Sequence, residues 1–136
     1  MNILDFNYMA SDSQSKTPRP REEVKVLYDY ELTNAPGKSI IAFNLEYPPD
    51  GFTPPHRHGG ATLVAFVTQG TILSVMNDNS RVYQAGESFM EMPGCHHTVS
   101  ENSSQTENAN MIAVFVVDTE VVKQEGYAPL TVLDDE

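Results

Sequence analysis

The stretch Thr53-Pro54-Pro55-His56-Arg57-His58-Gly59-Gly60 decides how this chain is read. Two histidines stand two apart, led in by prolines and followed by a glycine pair. In an extended segment, residues two apart project from the same face. His56 and His58 therefore project side by side, and Arg57 projects the other way, toward a salt bridge or, less readily, a substrate. Two imidazoles on one face of a strand are half of a metal site. A bare His-x-His is also a common polar pair in a loop, so the reading depends on partners from elsewhere.

Those partners are His96-His97, placed just after Pro93-Gly94, and all four histidines of the chain fall in these two clusters. A third imidazole from a nearby strand completes a face of three nitrogen ligands, a set that suits Zn, Cu, Fe and Ni. Neighbours on a strand face opposite ways, so only one of His96 and His97 joins the set, and the other sits at the rim or behind the ligands. Glu91 lies on the strand leading into Pro93. It points either outward into solvent or inward, as a fourth ligand or a general base. Cys95 stands between Gly94 and His96 and reads as a buried apolar residue, with a role near the metal as the lesser alternative.

The sequence around these clusters is strand-like. Val24, Val26, Tyr28, Tyr30 and Leu32 alternate with polar residues, and Ile41, Phe43, Leu45 and Tyr47 share a face opposite Asn44 and Glu46. That is the period of half-buried strands. Thr62 to Val67 and Met111 to Val117 are apolar on both faces and read as strands covered on both sides. Turn residues punctuate the rest, at Ala35-Pro36-Gly37, Pro48-Pro49-Asp50-Gly51, Gln69-Gly70, Asn77-Asp78-Asn79-Ser80 and Ala85-Gly86. No segment from 24 to 118 has a helical period, and many short punctuated strands indicate an all-β barrel or sandwich. Phe43, Tyr47, Leu63, Ala65, Phe89 and Phe115 are expected in its core. Residues 1–23 read as an arm, 24–118 as the barrel and 119–136 as a tail with one helical turn before Gly126. In that tail Tyr127, Leu130, Val132 and Leu133 are available to pack on the barrel or on a second subunit.

Composition narrows the function. With 136 residues the chain is one domain, and its 19 acidic and 8 basic residues give a formal charge of −11. That balance disfavours nucleic acid and anionic membrane surfaces, both of which are gripped through Lys and Arg. A single cysteine allows no internal disulfide and fits a reducing, cytoplasmic setting. The N-terminus has neither the basic start nor the apolar core of a signal peptide. The alternating strand Val24–Leu32 offers an edge that needs covering, so a homodimer formed by sheet augmentation is expected.

The chain resembles the cupin superfamily. That family's first motif runs Gly, His-x-His, Glu, Gly, and Gly51, His56, His58 and Gly70 fall into place. In the second motif Gly86, Gly94 and His97 fit, with Pro93 one place late and Asn102 one place past the usual Asn. The resemblance spans roughly residues 40 to 118. It implies a small jelly-roll β-barrel whose metal is held by His56, His58 and His97, leaving His96 as the rim residue. One departure matters: Leu63 or Thr62 stands where the first motif has its Glu, so the ligand set reads as three neutral histidines. A divalent ion then keeps more net charge for an anionic substrate. What the resemblance implies is a metal-dependent enzyme acting on a small anionic or enolisable molecule, with Fe(II) favoured over Zn, Ni, Mn or Cu. Either dioxygen activation or a redox-neutral lyase, decarboxylase, isomerase or cyclase reaction fits, as in natural-product pathways. Glu91 and His96 are the candidate catalytic groups. A ligand-binding cupin without catalysis is the alternative class.

Overall fold

The computed structural model describes residues 18–135 of the chain. Most of the expected arm therefore lies outside the described residues. Two antiparallel sheets face each other. The first is ordered β1 (Glu23–Glu31), β2 (Lys38–Tyr47), β10 (Ala109–Asp118), β5 (Thr62–Gln69) and β8 (Ser88–Glu91). The second is ordered β11 (Val132–Leu133), β4 (His56–Arg57), β9 (His97–Asn102), β6 (Thr71–Met76) and β7 (Asn79–Gln84), with β3 (Phe52–Thr53) also paired to β9. Among the described residues only β1–β2 and β6–β7 are hairpins between paired consecutive strands, and most other connections cross from one sheet to the other, which is the jelly roll that the family resemblance implied. Among the described residues no helix is long and apolar enough to cross a membrane.

The core lies between the sheets and is built by alternation. Along β10, Ala109, Met111, Ala113, Phe115 and Val117 are buried, while the residues between them are half-buried on the far side. The same period buries Ile41, Phe43 and Tyr47 on β2, and Leu63, Ala65 and Val67 on β5. Each expected core residue, from Phe43 to Phe115, is under 8% exposed.

The second faces of β5 and β10 differ from expectation. Their apolar pattern predicts cover on both sides, yet Val64 is 42% and Phe66 45% exposed. The physical reason is topological: among the described residues no layer packs on the outer face of the first sheet.

The tail is built into the barrel. Helix α1 (Thr119–Glu125) starts where β10 ends, anchored by a buried Ser39–Thr119 hydroxyl pair at 2.7 Å. Gly126 reverses the chain at φ 69°, and a 3₁₀ turn over Ala128–Leu130 follows. Strand β11 then pairs with β4, setting Leu133 opposite His56.

Candidate metal centre

Strand β4 is only two residues long, yet its register fixes the site. His56 is the direct cross-strand partner of His97 on β9. His58 follows two residues after His56 on the same face, so the three rings converge. Their centroids lie 4.7 Å (His56–His58), 5.0 Å (His56–His97) and 6.4 Å (His58–His97) apart. One potential ligand atom from each residue lies within 4.8 Å of the others, and all three side chains are buried.

Each ring is oriented through its other nitrogen. His56 Nδ1 is 2.6 Å from the Pro54 carbonyl, and His58 Nδ1 is 2.6 Å from the Leu130 carbonyl. A carbonyl only accepts, so both Nδ1 atoms carry the proton and both Nε2 atoms keep a free lone pair. His97 is turned the other way: its Nε2 is 2.8 Å from Ser74 Oγ, which leaves Nδ1 free. Holding one imidazole nitrogen this way sets the tautomer and aims the other at a metal. Burial is the main reason the His56 pKa is lowered to about 4, with His58 adding to the effect. The ring is therefore neutral near pH 7, the form that ligates.

Glu91 comes from β8, where it pairs in register with Leu63. Of the two orientations open to it, the structure has the inward one, at 2% exposure. Its Oε2 lies 3.1 Å from His97 Nδ1 and 3.4 Å from His58 Nε2. Burial pushes its carboxyl up, but His58 and His97, when a proton rather than a metal sits on the nitrogens facing it, outweigh burial and bring the pKa down to about 2. The three-histidine cluster stands as read, and the inward alternative for Glu91 sets a carboxylate beside it. Leu63 does occupy the slot of the first motif, and the strand directly opposite supplies an acid in its place.

The donor set fits a divalent transition metal. His58 Nε2, His97 Nδ1 and Glu91 Oε1 are buried with no hydrogen-bond partner. Buried polar atoms normally have partners, and such orphans call for an ion or another group. Ligands on a shared ion with bonds of about 2.1 Å stand roughly 3.0–3.4 Å apart, which is the spacing of Glu91 Oε2 from the two nitrogens.

A cavity of about 360 Å³ opens above these groups. Its walls are mostly apolar, including Phe43, Leu45, Leu63, Met111 and Phe115. Four of the expected core residues (Phe43, Tyr47, Leu63 and Phe115) thus line the pocket as well. The polar exception is a chain of hydroxyls, with Tyr47 Oη 2.7 Å from Thr53 Oγ1 and 3.2 Å from Ser100 Oγ. Burial is the main cause pushing the Tyr47 phenol up to about 12, so it stays protonated.

The remaining candidates lie elsewhere. His96 is outside the cavity, its Nε2 2.9 Å from Asp134 on the surface. That position does not allow it to touch a substrate bound over the three histidines. Arg57 points away from its neighbours as expected, but it donates to the Gly94 carbonyl at 2.7 Å instead of forming a salt bridge. Gly94 N in turn donates to the Gly59 carbonyl, so the two histidine loops are laced together. Cys95 is half-buried, and burial together with the neighbouring Glu91 carboxylate pushes its thiol pKa up, away from thiolate chemistry. Asn102 is structural: its amide donates to the carbonyls of Pro48 and Glu107, and its oxygen accepts from Ser104 N.

Sequence reasoning missed four contributors. Ser74 had only its place on an inward-facing strand to mark it. The Leu130 carbonyl has no side-chain signature at all. Arg21 and Glu22 belong to the segment read as an arm, yet they stand at the cavity mouth.

The sequence profile of the cupin domain family matches residues 43–115, which hold both histidine clusters and Glu91. The chain is a cupin. Solved cupins share its fold. A cupin domain from Bordetella pertussis Tohama I is 24% identical with a TM-score of 0.57, covering 75% of this chain and 99% of its own. The cupin domain of Cnp3 from Schizosaccharomyces pombe is 16% identical at TM-score 0.61, covering 89% of this chain and 75% of its own. A predicted oxalate decarboxylase from Thermotoga maritima is 16% identical at TM-score 0.51, covering 65% and 91%. At such identities the likeness speaks for the fold alone. No functionally curated protein matches this cupin.

Proposed function

We propose that this cupin is a metal-dependent enzyme acting on a small molecule with an apolar body and an anionic or enolisable oxygen head. His56, His58 and His97 hold the metal through their untied nitrogens, with Glu91 Oε2 as a fourth ligand. The observation that carries the reading is that each ring has one nitrogen tied, to a backbone carbonyl or to the Ser74 hydroxyl, and the other turned toward its fellows and Glu91 at the floor of the cavity. A structural site would be closed by protein on all sides, whereas catalytic sites keep an open position. Bound there, the metal supplies Lewis-acid polarisation or, as ferrous iron, oxygen chemistry.

The chain's own residues divide the other tasks. Phe43, Leu45, Met111 and Phe115 receive the apolar body and exclude water. The Tyr47–Thr53–Ser100 hydroxyls offer a donor to a polar substituent on that body. Glu91 Oε1, buried and unpartnered, stands ready to take a proton from the substrate head.

Two chemistries share this geometry. The nitrogen-rich ligand set favours ferrous iron and dioxygen. The inward Glu91 favours a redox-neutral proton transfer, as in a decarboxylation, isomerisation or cyclisation. The test has two stages. Elemental analysis of protein purified without added metal identifies the ion. Anaerobic titration of iron-loaded protein with acetylacetone then reads whether an enolate reaches it. A new charge-transfer band supports an open catalytic site, and an unchanged spectrum sinks it. Oxygen uptake with substrate present separates the dioxygenase from the redox-neutral reading.

A further inference from the structure

The chain enters the barrel by passing over the cavity mouth. The Pro20 carbonyl accepts a hydrogen bond from Phe52 N at 3.0 Å, and Arg21 forms a parallel bridge to Phe52, so both residues belong to the second sheet. Glu23 pairs with Glu46 and opens β1 in the first sheet. Glu22 is the single residue between them, where the chain crosses from sheet to sheet. Arg19 fastens this crossing. Its guanidinium lies 4.6 Å from the centre of the Phe52 ring, and its Nη1 is 3.3 Å from Glu101 Oε1.

Alternation turns Glu22 inward. Glu22, Val24 and Val26 stand two apart and line the cavity together. The Glu22 side chain is 8% exposed, against 49% for Arg21 beside it. A carboxylate is seldom drawn out of water without a partner. Arg21 Nε donates to Glu22 Oε1 at 2.9 Å, and that bond engages only one of the two carboxylate oxygens.

Glu22 extends the polar end of the cavity, where Tyr47, Thr53 and Ser100 share their hydroxyl contacts. Burial is the main cause raising the Tyr47 pKa, and the charges of Glu22 and Glu91 both add to the rise, so the two carboxylates lie within electrostatic reach of one ring. The backbone fixes how far this end is from the metal ligands. Ser100 stands three residues after His97 on β9, and a bulge leaves Thr98 unpaired between them, so that both face inward. Three residues of strand span at most about 10 Å, roughly the reach of a six-carbon chain. Between the two ends the walls are apolar, with Val24, Leu45 and Met111 among them.

We propose that Glu22 is a specificity-determining residue of this site. Among molecules whose anionic head reaches the metal, it selects those with an ammonium or hydroxyl donor at the far end and rejects those with a second anion there. The inference rests on the metal-centred reading above and adds the identity of the substrate's other end.

Calorimetric titration of the zinc-loaded full chain with four hydroxamates tests it. All four carry the same metal-binding head on a six-carbon chain, which ends in a methyl, ammonium, hydroxyl or carboxylate group. A hydrogen bond to a charged partner strengthens binding by about tenfold, so the ammonium and hydroxyl tails are each expected to bind about tenfold more tightly than the methyl tail. Like charges brought together are costly, and the carboxylate tail is expected to bind at least about tenfold more weakly. In Glu22→Gln the ammonium preference is expected to fall below about threefold and the carboxylate penalty to vanish, while the methyl tail binds as before. The native series decides alone if the variant misfolds. Equal affinity for the four tails, tightest binding of the carboxylate tail through Arg21, or a native pattern retained in Glu22→Gln overturns the proposal. Hydroxamates that bind zinc-loaded and metal-free protein alike overturn the metal-centred reading, and this proposal with it.

Discussion

Replacing Ser74 by alanine tests the logic of the site without touching any proposed ligand. Ser74 is 1% exposed, and among the described residues its hydroxyl is the partner of His97 Nε2, at 2.8 Å. Removing it strands a buried N–H, which costs about 1–3 kcal/mol of stability in the metal-free protein. It also frees the ring to rotate or change tautomer, and losing such an orienting bond typically weakens metal binding by about 10–100-fold. The two effects are separable. At zinc equal to 100 times the native dissociation constant, native protein gains about 2.7 kcal/mol from binding. A variant binding 30-fold more weakly gains only about 0.9 kcal/mol at that concentration. Urea unfolding with and without zinc reads both terms, and chelator competition measures the affinity independently. Thr68→Ala, which removes a hydrogen bond far from the cavity, serves as the control. If Ser74→Ala loses stability but binds zinc as the native protein does, His97 does not ligate through an oriented Nδ1. The assignment of donor atoms then fails.

Further outcomes follow from neighbouring features. Glu91→Gln is expected to weaken metal binding by more than about 100-fold, since it removes a charge from the donor set, whereas His96→Ala should change it less than about twofold. Equal losses in the two variants, measured by chelator competition, would contradict the placement of both residues. Acid should destabilise the metal-free protein through His56, whose pKa falls from 6.5 in the unfolded chain to about 4 in the fold. The unfolded chain takes up the proton first, so stability is full above pH 6.5 and declines by about 3 kcal/mol as pH falls to 4. Denaturation across that window should show a shallower slope for His56→Gln, and an unchanged slope would refute the account. Gly70→Ala should cost about 2–5 kcal/mol, combining a left-handed φ of 71° with a Cβ only 2.6 Å from the Asn108 carbonyl oxygen. A loss below about 1 kcal/mol in urea would mean that this turn is far more pliable than its packing implies.

The histidine clusters and the strand pattern were legible because both depend on local rules. Side chains alternate along a strand, so His56 and His58 had to share a face, and the turn residues marked where β5, β6, β7 and β8 end. The inward orientation of Glu91 was legible only as one of two choices. It depends on the pairing of β8 with β5, which no short window of sequence specifies. The outer faces of β5 and β10 misled for a related reason. Apolar residues on both sides of a strand declare that both sides seek cover, but not whether the cover comes from the same chain. The Leu130 carbonyl could not be read in advance, because every residue except its geometry offers the same backbone oxygen.

The route of the chain after β10 has one more consequence. Leu130 is 1% exposed, its carbonyl holds His58, and the Pro129 carbonyl oxygen would lie only 2.9 Å from a Cβ at Gly59. Ion capture and seating of the last turns are therefore two ends of a single equilibrium, and thermodynamic reciprocity applies. Any tug that peels those turns away must loosen the grip on the ion by some factor. The ion must clamp them down by that same factor, making their hydrogen exchange an indirect gauge of occupancy.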